Sequence, residues 1–159
     1  MANGPSEIIL LCAGLIVAGL VSGVLLQTWD DMDHALEDRG KEGAEEARTR
    51  ASLVNDPSNM PWDETEKTVT VYIQNSGETL LSLENIGIFI DTFPLTVSVA
   101  DSSTNWAPGS IVQFTADDTS DTLSYTGSND VIMTITVVSS AQDYAGAHTV
   151  SEEIRLVAS

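Results

Sequence analysis

The sequence predicts an α+β protein: a long N-terminal α-helix, made of a membrane span and a stalk, followed by an all-β immunoglobulin-like sandwich. Three observations predict this fold class. Residues 8–26 carry no charge, residues 30–56 place charges and alanines at helical spacing, and from residue 66 apolar residues alternate with polar ones. We therefore divide the chain into a transmembrane helix at 1–29, a juxtamembrane helical stalk at 30–56 and a β-sandwich ectodomain at 66–159.

The apolar segment IILLCAGLIVAGLVSGVLL runs from Ile8 to Leu26. As a helix it spans roughly 28 Å, close to the hydrocarbon thickness of a bilayer. Trp29 follows at the edge, where an indole favours the membrane interface. A cleaved signal peptide is the alternative, but its basic N-terminal region is missing from MANGPSE. The segment predicts a retained single-pass anchor in the cell membrane, with the acidic remainder outside.

Small residues recur through this segment at four-residue spacing. They let a second helix approach closely in lipid, so we expect self-association or association with a partner helix. The candidate association residues are Gly14, Ala18, Gly19, Ser22 and Gly23. Glu7, just before the apolar run, is a candidate partner for the N-terminal amine of a neighbouring chain, or simply the first solvated residue of the helix.

The stalk shows acid-first charge pairs at i,i+4, Glu37 with Lys41 and Glu46 with Arg50. Gly40 and Gly43 weaken its middle, at about 1 kcal/mol each relative to alanine. Asn55, Asp56 and Pro57 should end the helix, and a further turn is expected at 59–62.

The outer domain reads as seven or eight short strands separated by turns about ten residues apart, a pattern typical of a β-sandwich. NSGE at 75–78 is a predicted turn. The predicted strands are KTVTVYIQN, TLLSL, NIGIFID, PLTVSVA, IVQFTA, TLSYT, NDVIMTITVVS and HTVSEEIRLVAS.

The charge of the chain limits its partners. Twenty-four acids against six bases give a formal net charge of −18. Nucleic acid is excluded as an expected partner, since phosphates are bound by lysine and arginine. The acid excess is typical of proteins that stay soluble in molar salt, where charge repulsion is screened within about 3 Å. An acidic interaction surface at ordinary salt is the alternative. Cys12 stands alone, so no disulfide within the chain is expected.

No catalytic, cofactor-binding or metal site is predicted. His34 and His148 lie in no nucleophile motif, and no P-loop, dinucleotide or zinc signature occurs. Asp117, Asp118 and Asp121, or Asp101 with Asn105, are possible calcium ligands, but clustered aspartates in so acidic a chain are more typical of solvated surface. Trp106 is either an exposed contact residue or a loop tryptophan folded onto the sandwich.

The layout of a glycine-bearing membrane helix, a stalk and a β-sandwich resembles the archaeal branch of the type IV pilin superfamily. ASLVNDPSN at 51–59 and VTVYIQNSGETLLSLENIGIFIDTFPLTVSV at 69–99 resemble the archaellum accessory protein G family (FlaG or ArlG).

This resemblance implies a membrane-anchored, non-enzymatic subunit of the archaellum motor. Its ectodomain would bind an accessory protein F-like partner and the S-layer or envelope, as part of the stator. An archaellin or type IV pilin-like filament subunit is the alternative. The missing basic leader and the missing N-x-S/T sequons favour the accessory protein.

Overall fold

A computed structural model describes residues 4–141 and 146–159. Its elements are α1 (Gly4–Arg48), β1 (Ala51–Leu53), β2 (Met60–Asp63), β3 (Thr68–Asn75), β4 (Gly87–Ile90), β5 (Phe93–Val99), β6 (Ile111–Asp117), β7 (Ser128–Val138) and β8 (Ala147–Ala158). The α+β class, with one long helix before a β domain, is confirmed. The chain divides into two compact units, one ending at Lys41 and the other beginning at Glu42.

The first unit is helical throughout its described residues, because α1 runs without interruption from Gly4. The side chains of Ile8–Leu26 are all exposed. In solution so large an apolar surface would be strongly unfavourable, since each apolar side chain contributes about 1.5–3 kcal/mol when it leaves water. The stalk pair Glu37–Lys41 forms as predicted, with 3.0 Å between Oε1 and Nζ.

The second unit is built on one continuous sheet that closes on itself. Its order is β1-β3-β2-β8-β7-β4-β5-β6, and β6 returns to pair with β3. β6 occupies one edge of β3, while β2 and β1 share the other edge, near the start and end of β3 respectively. The β domain predicted after the helix is thus a sheet closed by the pairing of β3 with β6, in which β2 and β8 make a parallel pair.

The interior of the closed sheet is a single apolar core. The alternation predicted for the strands is confirmed: Val69, Val71 and Ile73 point inward, as do the alternate residues of β7. The largest fully buried side chains are Trp62, Trp106, Phe114, Met60, Ile73, Leu81, Ile88, Ile90, Met133, Ile154, Leu156 and Val69.

The stalk boundary at residue 56 is wrong. α1 ends at Arg48, and Ala51–Leu53 is a strand in register with Ile73–Asn75. Residues 49–56 (TRASLVND) contain a single alanine among residues of lower helical propensity, so their helical preference is weak, and pairing with an available sheet edge overrides it. Arg50 therefore lies beyond the helix, where its Nε–H donates to the Ala47 carbonyl at 3.4 Å instead of forming the i,i+4 pair predicted with Glu46.

The β domain also begins earlier than residue 66. Met60 and Trp62, expected in a turn, form β2 and are 0% and 1% exposed. Two predicted strands are instead loops. Leu81 in TLLSL makes only isolated bridges, and TLSYT at 122–126 pairs with no strand in the described part of the chain.

Candidate functional site: the apolar helix and its junction with the β domain

Two features of the chain stand out as candidates for function. One is the exposed apolar stretch of α1. The other is the junction. We define it as the last residues of α1, 45–48, and the two that follow, 49–50, together with residues 75–79 and Gly146 of the β domain. Both parts of the junction lie in the second unit.

The apolar stretch of α1 is long and hydrophobic enough to cross a membrane. Its most apolar 18-residue window has a mean hydropathy of 2.7, and none of that window is buried within the protein. At its end, the Thr28 hydroxyl donates to the Val24 carbonyl at 2.9 Å, so this polar group is satisfied within the helix itself.

The predicted association residues lie within this exposed stretch. A methyl group added at Gly14, Gly19 or Gly23 would meet no atom within 4 Å, so the chain itself does not cover them. Ala18 and Ser22 are exposed as well. The prediction that a second helix covers this small-residue surface stays a prediction.

Glu7 lies in the first turn of α1 and is exposed. A carboxylate at that position interacts favourably with the positive end of the helix dipole. The proposed pairing of Glu7 with the amine of a neighbouring chain stays a prediction.

At its C-terminal end α1 is capped by specific hydrogen bonds. The last four carbonyls of a helix have no partner within it. Here the Glu45 and Glu46 carbonyls accept from the Thr49 N–H, at 2.9 and 3.2 Å, and the Thr49 hydroxyl donates to the Glu45 carbonyl at 2.7 Å. The Arg48 carbonyl accepts from the Glu78 N–H at 2.9 Å. With the Ala47 carbonyl bonded to Arg50, all four terminal carbonyls are satisfied.

Thr49 is the residue that locks this helix end into the β domain. It is completely buried, and its hydroxyl lies 3.3 Å from the hydroxyl of Thr79. Gly146 packs directly against it: a Cβ there would come within 2.5 Å of Thr49 Oγ1 and 2.7 Å of the Glu45 carbonyl oxygen. Glycine is therefore required at 146 for the helix to approach.

The predicted turn NSGE forms the other side of the junction. The N–H groups of Ser76 and Gly77 both donate to the Arg50 carbonyl, at 3.1 and 3.2 Å. A Cβ at Gly77 would lie 2.2 Å from the Arg48 carbonyl oxygen and 2.7 Å from the Arg50 nitrogen. An exposed ion pair, Arg48 Nε to Glu78 Oε2 at 3.4 Å, lies over the same contact and contributes little by itself.

Asn75 holds the turn in place from below. It is completely buried, and its amide donates to the carbonyls of Thr79 at 2.7 Å and Trp106 at 3.0 Å. Its Oδ1 accepts from the Gly77 N–H at 3.1 Å. Both the nitrogen and the oxygen of the Asn75 side chain are thus hydrogen-bonded, and these bonds fix the turn against which the end of α1 packs. Sequence reasoning identified the turn but missed this role of Asn75. The sequence signal for it is an asparagine at an inward-facing position of the alternating strand, two residues before Gly77.

Three of the five candidate calcium ligands, Asp101, Asp118 and Asp121, make hydrogen bonds or an ion pair within the β domain. Asp118 is 4% exposed and accepts from the Leu123 N–H at 2.6 Å, and Asp121 pairs with Lys67. Hydrogen bonds from Ser103 and Gln113 lower the pKa of the Asp101 carboxyl. Within residues 4–141 and 146–159, no group of three or more metal-ligating side chains is assembled.

Trp106 belongs to the core. It is completely buried, packs against Phe114 with 5.1 Å between ring centroids, and donates from Nε1 to the Ser110 carbonyl at 3.3 Å. The reading of Trp106 as a loop residue folded onto the β domain is therefore confirmed, and the exposed-contact alternative is wrong.

A family comparison identifies the class of protein to which this arrangement belongs. The family described as archaeal-type flagellin matches residues 2–155. The chain belongs to the archaeal-type flagellin family. It is therefore an archaellum-related protein, and its family is structural, not enzymatic.

One curated relative and one solved structure show what else the chain is similar to. The chain is 28% identical over 99 residues to the putative flagella-related protein G of Methanococcus voltae, a match covering 61% of this chain and 65% of that protein. The chain thus matches slightly less than two thirds of that relative. Among solved structures, AggA, the major subunit of aggregative adherence fimbriae type I from Escherichia coli, is 7% identical with a TM-score of 0.32, covering 70% of this chain and 94% of AggA.

Proposed function

We propose that this protein is a membrane-anchored subunit of the archaellum motor that holds the stator to the cell envelope. In this role α1 lies in the cell membrane, and the β domain projects outside, where it binds an accessory protein F-like partner and the S-layer. The exposed apolar stretch of α1 supports this proposal most directly, because a water-soluble protein would bury it. The similarity to a protein named flagella-related protein G supports the same role.

The junction supports a mechanical role. A subunit that resists torque needs its binding domain firmly attached to the helix end that enters it. Only residues 49 and 50 separate α1 from β1, and the buried Thr49 contributes to the capping of the helix. Opening such a junction would break the buried hydrogen bond between Thr49 and Thr79 and the backbone bonds from the 76–78 turn to Arg48 and Arg50, each contributing about 0.5–1.5 kcal/mol.

A filament subunit is the second candidate. The family match to flagellins favours it, as does the uncovered row of small residues on α1, since helices pack closely where side chains are small. In that role α1 would be surrounded by other copies in the filament core.

Gene deletion with separate assays of filaments and of swimming tests the proposal. A stator subunit predicts cells that carry filaments but do not rotate them, and a protein that stays in the membrane fraction when filaments are sheared off. A filament subunit predicts that the protein is a stoichiometric component of the sheared filaments, a result that would overturn the stator proposal.

The orientation of the protein in the membrane needs its own test. In a Cys12→Ser background, a cysteine at the exposed Glu84 of the β domain should react with a membrane-impermeant maleimide in intact cells. A cysteine at Ser6, before the apolar run, should react only after lysis. The opposite labelling pattern would contradict an external β domain.

A further inference from the structure

The apolar surface of α1 continues past the membrane segment into the stalk. Trp29, Met32 and Leu36 are 71%, 58% and 63% exposed. Leu36 lies ten residues beyond Leu26, about 15 Å further along the helix axis. The headgroup layer adds only about 5–8 Å to each side of the hydrocarbon core, so lipid does not cover Leu36.

Trp29, Met32 and Leu36 are spaced as in a heptad pattern, and the same spacing can be extended back through the uncharged residues 8–26. The spacing alternates between three and four residues through nine consecutive positions, which places them on one slowly drifting stripe of the helix. We call this stripe the seam: Ile8, Leu11, Leu15, Ala18, Ser22, Leu25, Trp29, Met32 and Leu36.

Acidic residues avoid the seam even where the stalk is most acidic. Asp30, Asp31, Glu37 and Asp38 fall at the heptad positions facing away from it. Asp33 lies at its flank, where the partner helix of a parallel, in-register pair would present Thr28. In a chain of net charge −18, such a stripe is one of the surfaces on which a second copy can pack without opposing like charges.

We propose that the seam from residue 8 to residue 36 pairs two copies of this chain as a parallel, in-register coiled coil that emerges from the membrane. This inference rests on the proposed membrane anchorage. Two copies held by the same segment in the same membrane run parallel at the same height, so each seam residue meets its own counterpart. Ala18 and Ser22 bring the backbones close at mid-membrane, with Gly14 and Gly19 at the flanks. Trp29, Met32 and Leu36 then bury their surface outside the lipid.

Cysteine cross-linking in native membranes tests the pairing. In the full-length Cys12→Ser chain, cysteine replaces Met32 or Leu36 on the seam, or His34 or Asp38 on the opposite side as matched controls. Seam cysteines should give disulfide-linked dimers in ~10-fold higher yield than the controls, since a disulfide needs Cα atoms within about 7 Å. Adding Leu36→Glu should reduce cross-linking at Met32→Cys by ~10-fold, whereas His34→Glu should leave it unchanged.

Each other outcome overturns the inference. Equal yields on both sides would mean random collision, and no dimer at either seam position would mean that the seam is unpaired. A seam adduct with a protein of different mass would assign the seam to a foreign helix.

Membrane fractionation of the same cells separates the two proposals. Chain found in the membrane but not cross-linked refutes only the pairing, while chain absent from the membrane refutes the anchorage.

Discussion

Gly77→Ala is the sharpest test of the junction. The new methyl carbon would lie 2.2 Å from the Arg48 carbonyl oxygen, whereas an ordinary contact is about 3.4 Å, so the two segments must separate by about 1 Å. The obstructing atoms, the carbonyl oxygen of Arg48 and the nitrogen of Arg50, belong to the backbone, so no side-chain rotation can relieve the overlap. Separation weakens three hydrogen bonds: those from the Ser76 and Gly77 N–H groups to the Arg50 carbonyl, just beyond the helix, and that from Glu78 to the last helical carbonyl, of Arg48.

The size of the effect follows from these contacts. Three hydrogen bonds at about 0.5–1.5 kcal/mol each, or overpacking at about 1–3 kcal/mol, set the loss. Alanine recovers about 0.4–1 kcal/mol by restricting the unfolded chain. We therefore expect the free energy of unfolding of the β domain to fall by about 2 kcal/mol, within a range of about 0.5–4 kcal/mol.

Urea unfolding of the full-length protein in detergent measures this change. The fluorescence of the buried Trp62 and Trp106 reports unfolding of the core. Gly43→Ala is the matched control, because a Cβ at Gly43 meets nothing within 4 Å and alanine favours the helix. If Gly77→Ala unfolds at the same urea concentration as the wild type, the two segments separate freely, and the reasoning about a tight junction is refuted.

Three further predictions concern the β domain. Asn75→Ala should lower the free energy of unfolding by about 2–4 kcal/mol, because it removes three hydrogen bonds, two of them buried, and leaves the Thr79 carbonyl unpaired, while the Trp106 carbonyl keeps its bond from the Leu81 N–H. Asn59→Ala, at an exposed position, should change the free energy of unfolding by less than about 0.5 kcal/mol in the same urea assay. Asp118→Ala should cost about 1–3 kcal/mol through loss of its bonds to Leu123 and Thr122, with the exposed Glu84→Ala as control; equal midpoints for the two variants would count against a structural role for Asp118. Burial, reinforced by the charge of Asp91, raises the pKa of Tyr125 to about 12, so the folded state favours the protonated phenol and stability should decline as pH rises from about 10 towards 12. Ultraviolet titration should show this late ionisation in the wild type and an earlier one in Asp91→Asn; an unchanged curve in the variant would contradict the contribution of Asp91.

Much of this fold is readable from periodicity. The uncharged stretch Ile8–Leu26 predicts an exposed apolar helix, and the alternation through Val69, Val71 and Ile73 predicts a strand with one buried face. These predictions hold because each pattern concerns a single element along its whole length: the strand buries one face, and the helix is exposed.

The misjudged segments depend on contacts that are distant in sequence. Ala51–Leu53 becomes a strand only because Ile73–Asn75 presents an edge, and Met60 is buried only because Leu156 arrives beside it from the end of the chain. Similarly, TLSYT has the composition of a strand, but the buried carboxylate of Asp118 fixes the Leu123 N–H in a loop. Local preference is too weak to decide such cases.

The candidate site divides in the same way. Small residues at four-residue spacing identify the helix surface without any structure. The junction is visible only when Thr49, Asn75 and Gly146 come together, and none of the three carries a recognisable motif.

The closed sheet also determines how the outer domain can be prepared for experiments by itself. A fragment starting at residue 66, where the alternating pattern begins, would lack β1 and β2 and with them the buried Met60 and Trp62. Without β2, the closed sheet would open between β3 and β8, and the two exposed strand edges would favour aggregation. A soluble fragment that keeps all eight strands must start at or before Ala51, and one that also keeps the capped helix end must start near Glu42. The residues that lead from the helix into the domain therefore also complete its fold.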